Sequence, residues 1–278
     1  MSEPTGTRDA PEPETIEAFA RRVVEGTTLE AKLAPPPAGL RPGEAAAAIV
    51  LDGPARPAEL RVGDVRVPPL AGMADRAQRG RILHALANHE LQAAELFAWA
   101  LLAFAGEPRA FRGGLLAICA DEQRHCRRYA ARAAALGCAF GSQPVTAHFW
   151  NHRARMATPL GFVCTMGLTF ENANLDLAGD YAEAARAAGD AETAAILDEV
   201  AADEVDHVRF AWTWLEKLAG GRAPEDVYRE VATFPLGARR ARGARLDVER
   251  RRRAGLSEAM IALLAEAAPV RPGGGPRS

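Results

Sequence analysis

One short pattern occurs twice in this chain. Asp-Glu-x-x-His stands at Asp121-Glu122-Gln123-Arg124-His125 and again at Asp203-Glu204-Val205-Asp206-His207. Each copy follows a lone glutamate: Glu90 precedes Glu122 by 32 positions, and Glu171 precedes Glu204 by 33. In an α-helix residues i and i+3 share a face, so each Glu-x-x-His can aim two side chains at one point. Four glutamates and two histidines delivered in this way are the ligand set of a two-metal carboxylate site inside a four-helix bundle.

The texture around the motifs fits long helices. Asp75 is a plausible N-cap, and from Arg76 to about Ala105 there is no proline. This predicts helix A. Helix B is expected from about Pro108 to Leu136, with Gly113-Gly114 weakening its first turns. Helix C is expected from about Leu160 to Ala188 and helix D from about Ala191 to Ala219. The A–B and C–D connections are short, which predicts antiparallel hairpins. The long B–C connection, with His148, Phe149, Trp150 and His152, is a crossover. Glu90-Leu-Gln-Ala-Ala-Glu95-Leu matches Glu171-Asn-Ala-Asn-Leu-Asp176-Leu 81 residues later, so the two hairpins read as an internal repeat. The small and apolar neighbours of the four glutamates place them on inner faces. Burying four carboxylates without a cation costs several kcal/mol each. Carboxylate and imidazole donors without thiolate favour iron or manganese over a structural zinc.

The rest of the chain frames this region. The expected organisation is a tail at 1–14, an N-terminal helix and irregular arm at 15–74, a helical bundle at 75–220, a helical extension at 221–268 and a tail at 269–278. Thr15 to Lys32 reads as one helix, and Pro35 to Pro69 as an irregular arm with one β-hairpin. The fold class is all-α. A net charge of −2 gives no global case for nucleic acid or an anionic membrane. No apolar run reaches 18 residues, so no membrane span is expected. Met1 to Thr15 has neither a basic nor an apolar stretch of a signal peptide, which leaves the cytoplasm as the default compartment.

With its His89-Glu90-Leu91-Gln92-Ala93, Asp121-Glu122-Gln123-Arg124-His125, Leu168-Thr169-Phe170-Glu171 and Asp203-Glu204-x-x-His207-Val208 segments, the chain resembles the ferritin-like superfamily of di-iron carboxylate proteins. More narrowly it resembles the bacterial family labelled domain of unknown function 455. The resemblance covers about residues 75–220 strongly. It implies a ferritin-like bundle with Glu90, Glu122, His125, Glu171, Glu204 and His207 as ligands of two iron ions, manganese being an alternative, and it implies no particular reaction. By similarity to bacterial hydroxylases of the superfamily, Asp121 would orient His207 and Asp203 would orient His125.

Other residues also offer chemistry. Tyr129 follows His125 by four and lies on the ligand face, whereas the matching position after His207 is Ala211. A redox role for Tyr129, or less directly for Trp214, stands against plain core packing. Glu95 and Asp176 point off the ligand face, toward a capping or surface role. Eight arginines fall between Arg239 and Arg253. A solvated helix face is the simpler reading of that run, and nucleic acid is left open.

The function expected is an O2-activating oxidase or oxygenase acting on a small organic substrate, with an external electron donor; homodimerisation stays open. Iron or peroxide handling is a second reading. A metal-stabilised structural or tRNA-modification-associated protein is a third.

Overall fold

The computed structural model describes residues 14–268. Among them the protein is all-helical, with no strand beyond an isolated parallel bridge between Val62 and Val145. The expected terminal tails lie outside the described residues, apart from Glu14.

Four long helical segments carry the repeat. They are α3 (Arg76–Ala103), α4 (Arg109–Ala135), α6 (Asn172–Ala187) and α7 (Ala191–Leu218). At about 1.5 Å per residue a 28-residue helix such as α3 or α7 spans roughly 42 Å. Asp75 caps α3 by accepting the Gln78 N–H, and Asp190 caps α7 by accepting the Thr193 N–H. At the other ends Gly137 (φ 92°) and Gly189 (φ 77°) adopt the left-handed conformation that stops α4 and α6. α3 packs along α4, α6 along α7, and α4 also meets α7.

Two glycines set how closely α7 approaches its neighbours. A Cβ on Gly114 of α4 would lie 2.2 Å from the Phe210 ring of α7. A Cβ on Gly167 would lie 2.2 Å from the Ala211 Cβ. The Gly113-Gly114 pair therefore does not fray α4, because one of its members seats an aromatic ring.

The predicted helix C is not one regular helix. A short α5 (Pro159–Phe162) runs into nine residues of π-helix, Val163–Glu171, which pass directly into α6. Every residue of the π-helical stretch is buried. Its Thr169 hydroxyl donates to the Cys164 carbonyl (2.8 Å) and lies 3.0 Å from the buried Tyr228 hydroxyl on α8 (Pro224–Val231). π-helical turns are rare and concentrate at functional sites.

The expected N-terminal helix is likewise two. α1 (Ile16–Glu25) stops at Gly26, and α2 (Leu29–Leu33) restarts under the Thr28 cap. A side chain on Gly26 would collide with the Arg22 carbonyl. The expected hairpin does not form. Instead the arm is strapped over the α3–α4 end: Ile49 N–H bonds Leu102 O, Trp99 Nε1–H bonds Leu51 O, and Arg112 bonds the Gly43 carbonyl. Beyond α8, α9 (Val248–Arg253) lies against α6 and α7, and α10 (Glu258–Glu266) packs on α8 and α9.

The apolar interior is divided into two clusters, and the division falls at the glutamates. On α3, Ala87 and Leu91 belong to one cluster and Ala93 and Ala94 to the other. On α4 the change runs from Cys119 to Cys126, and on α7 from Val200 to Val205. Glu90, Glu122 and Glu204 lie at those boundaries.

Candidate metal centre

All six residues singled out by the repeat are buried, none more than 2% exposed. They form two overlapping groups. Ligand atoms of Glu90, Glu122, His125 and Glu204 lie within 4.8 Å of one another, as do those of Glu122, Glu171, Glu204 and His207. Glu122 and Glu204 belong to both. α3 and α4 supply one half, the π-helical stretch and α7 the other, and the imidazole centroids are 5.8 Å apart.

The two aspartates cross between the halves. Asp203 Oδ2 lies 3.0 Å from His125 Nε2, and Asp121 Oδ2 lies 3.3 Å from His207 Nε2. With Nε2–H donating to a carboxylate, each Nδ1 is left to face the glutamates. His207 Nδ1 is 3.0 Å from Glu122 Oε1 and 3.2 Å from Glu204 Oε2. His125 Nδ1 is 3.5 Å from Glu122 Oε2.

Charge is poorly balanced within this cluster. Burial, then the neighbouring carboxylates, raises Glu90 and Glu171 well above the usual carboxylate range. Burial would also raise Glu122, but the imidazoles of His125 and His207 close to it hold it below that range. Burial opposes the imidazolium form, yet Asp203 and Glu122 lift His125 to about 9, and Asp121 with Glu122 raises His207. Protons thus stand where cations would otherwise balance the glutamates.

The donor set fits a metal pair on a second ground. Both Glu122 oxygens, Glu171 Oε1 and His125 Nδ1 are buried without a hydrogen bond. Close imidazole nitrogens approach Glu122 outside hydrogen-bonding direction. Buried polar atoms are rarely left so. Four unsatisfied donor atoms converging from both halves are what a cation would satisfy.

The roles of two residues in this network, and one element, were not foreseen from the sequence. Arg124 spans the two aspartates, at 2.5 Å from Asp121 Oδ1 and 2.6 Å from Asp203 Oδ2. Asn174 Nδ2–H donates to Glu204 Oε1 (3.1 Å). The π-helical stretch places Glu171. The motif spelled Asp-Glu-x-Arg-His at the first copy was the available signal for Arg124; Asn174 ends the Glu171-x-Ala173-Asn174 stretch that shares in the family resemblance, but that stretch assigned it no role.

Tyr129 is buried beside the cluster, and its hydroxyl is raised by burial and by Glu90, Glu204 and Glu122. Trp214 is elsewhere. It packs on Phe111 (4.9 Å) and Phe210, with the Lys217 ammonium 4.3 Å over its ring. Glu95 and Asp176 are buried rather than surface residues, which corrects the expectation for both. Glu95 pairs with the buried Lys32 (2.9 Å) and with Arg56 (2.8 Å), pinning α2 and the arm. Asp176 takes a bidentate grip from the buried Arg251 (2.7 and 2.9 Å), pinning α9. The repeat therefore extends to a second acidic pair that fastens the flanking segments. Of the arginine run, Arg245, Arg251 and Arg252 pair with acids within the chain, and Arg242 and Arg250 bond backbone carbonyls.

Residues 13–262 match the model of the family described as protein of unknown function DUF455. The chain belongs to that family. No curated protein and no solved structure matches it.

Proposed function

We propose that this DUF455 chain is a ferritin-like four-helix bundle holding two iron ions, or manganese in their place, and that it oxidises a small organic substrate with O2. The observation that carries the reading is the pair of overlapping four-residue groups, buried, rich in carboxylate and short of hydrogen-bond partners. Glu90 and His125 would hold one ion and Glu171 and His207 the other, with Glu122 and Glu204 shared. A bound iron pair supplies the redox chemistry that O2 activation needs.

The chain's own groups do the rest. Asp121 and Asp203 fix the tautomers of His207 and His125, keeping each Nδ1 lone pair on the metal side. Arg124 holds both aspartates ionised and in place. The two apolar clusters on either side exclude water from the carboxylates. Tyr129 places a buried phenol beside the site. Electrons come from an external donor.

Reduced, iron-loaded protein mixed with O2 should consume it in proportion to its iron and develop near-ultraviolet absorption, with Glu122→Ala inactive in both readouts. Wild-type protein that holds iron yet takes up no O2 would sink the oxidase reading.

A further inference from the structure

The crossover closes the gap between α3 and the π-helical stretch. The Phe149 ring is sandwiched there, stacked on His89 (5.2 Å between centroids, 25°) and on Phe170 (4.5 Å, 19°). His89 adjoins Glu90 in the chain and Phe170 adjoins Glu171, so the stack joins the two helical turns that carry the lone glutamates. On its flank His148 and His152 meet edge to face (5.3 Å, 88°), and both touch Phe170. Arg240, from the C-terminal extension, reaches His148 Nε2 at 3.1 Å.

The charge here is one-sided. Arg240 is half-buried, and among the described residues no carboxylate lies within ion-pair distance of it; burial alone lowers its pKa. Its neighbours are similar. Arg155 donates to the Thr233 and Phe234 carbonyls, and Arg153 stands over the Trp99 ring, again without an acid. Arg245, Arg251 and Arg252 of the same run all have acidic partners. Burial, then the neighbouring His89 and Arg240, depress His148 to about 3. His152 is lowered by burial, Arg155 and Arg240. His148 and His152 are neutral at pH 7; His148 Nε2 accepts from the Arg240 guanidinium, which leaves the His148 N–H on Nδ1. A half-buried guanidinium without a counter-ion, beside neutral N–H donors and a flat aromatic stack, is matched by a planar anion.

We infer that Arg240, with His148 and His152, binds the carboxylate head of a small organic acid whose flat apolar body lies against the His89–Phe149–Phe170 stack. That this acid is the substrate rests on the metal reading above; the binding site does not.

Benzoate is the probe, benzamide its uncharged counterpart and inorganic phosphate the competing anion. Calorimetry is run on full-length protein as purified, with metal content measured on every sample. Benzoate should bind wild type about tenfold or more tighter than benzamide, and Arg240→Gln should lose a similar factor. Arg240→Lys, which keeps the charge, should retain binding to within a few-fold, and metal content should not change across the variants. Equal binding of benzoate by wild type and Arg240→Gln overturns the site, as does equal binding of benzamide, phosphate binding without benzoate binding, or no benzoate binding. Arg240-dependent binding in metal-poor protein would sink the metal reading and leave the site. Iron-replete protein whose benzoate binding ignores Arg240 would do the opposite.

Discussion

Asp203 shows how a single side chain outside the candidate ligand set can orient it. Its Oδ2 accepts from His125 on α4 and from Arg124, tying the two halves at 3.0 and 2.6 Å. Asp203→Asn presents the imidazole with an amide that is as ready to donate as to accept, and the Nδ1 lone pair loses its fixed direction. Losing such an outer contact typically costs roughly 10- to 100-fold in metal affinity. Competition against a chelator should show that loss with the helix content unchanged; an affinity equal to wild type would remove Asp203 from the account. The same residues set a pH dependence. His125 titrates at about 9 in the metal-free fold, above its ordinary 6.5, so the stability it adds is present below about 6.5 and lost as pH rises through 9. Glu90 and Glu171, raised by burial, act in the same direction. The melting temperature of metal-free protein should therefore fall from pH 6.5 to 9. Metal binding should release protons and tighten over that range, because each ligand must lose its proton first. Calorimetry in buffers of different ionisation enthalpy reads the proton count, and proton uptake on metal binding would contradict this. The clustering of the six candidate ligands was readable from sequence because i,i+3 spacing is local and the pattern repeats. Arg124 and Asn174 act across helices, where sequence distance gives no sign of contact.

At the scale of elements, the ends of the long helices were readable for a similar reason. Asp75, Gly137, Gly189 and Asp190 act on their own backbone, so their residue types announce the boundaries. The π-helical stretch was not readable. Its sequence, Val163 to Glu171, has ordinary helical composition, and what accompanies the wider turn is tertiary: Tyr228 on Thr169, and Ala211 against Gly167. That last contact also accounts for the asymmetry between Tyr129 and Ala211. A tyrosine at 211 would have to occupy the space where the π-helical backbone runs. Gly167→Ala puts a Cβ 2.2 Å from that of Ala211 and should cost about 1–3 kcal/mol by overpacking. It should also displace Glu171 and lower metal occupancy. Ala211→Gly in the same chain should restore both, as coupled neighbours do. Denaturant unfolding with metal analysis measures the pair, and additive losses in the double variant would show that the contact does not set the site. The break at Gly26 and the missing hairpin had the same origin. The arm is organised by bonds to Leu102, Trp99 and Arg112 rather than by pairing with itself.

Across the whole molecule the repeat organises more than the ligands. Each half carries a lone glutamate and, five residues on, a buried acid that fastens a flanking segment. Glu95 holds α2 and the arm, and Asp176 holds α9. The arm and extension are thereby locked to the same helices that carry Glu90 and Glu171, and the extension delivers Arg240 to the crossover. Four buried glutamates at the boundary between two apolar clusters are a costly feature of this architecture, and in the proposed reading a metal pair would offset that cost. The most direct test is metal analysis of protein purified from iron-replete cells, with thermal unfolding before and after chelation. The account predicts about two iron or manganese ions per chain, a lower melting temperature once they are removed, and both effects absent in Glu122→Ala. Purified wild-type protein that holds neither metal, takes none up on titration and melts at the same temperature with or without chelator would contradict it.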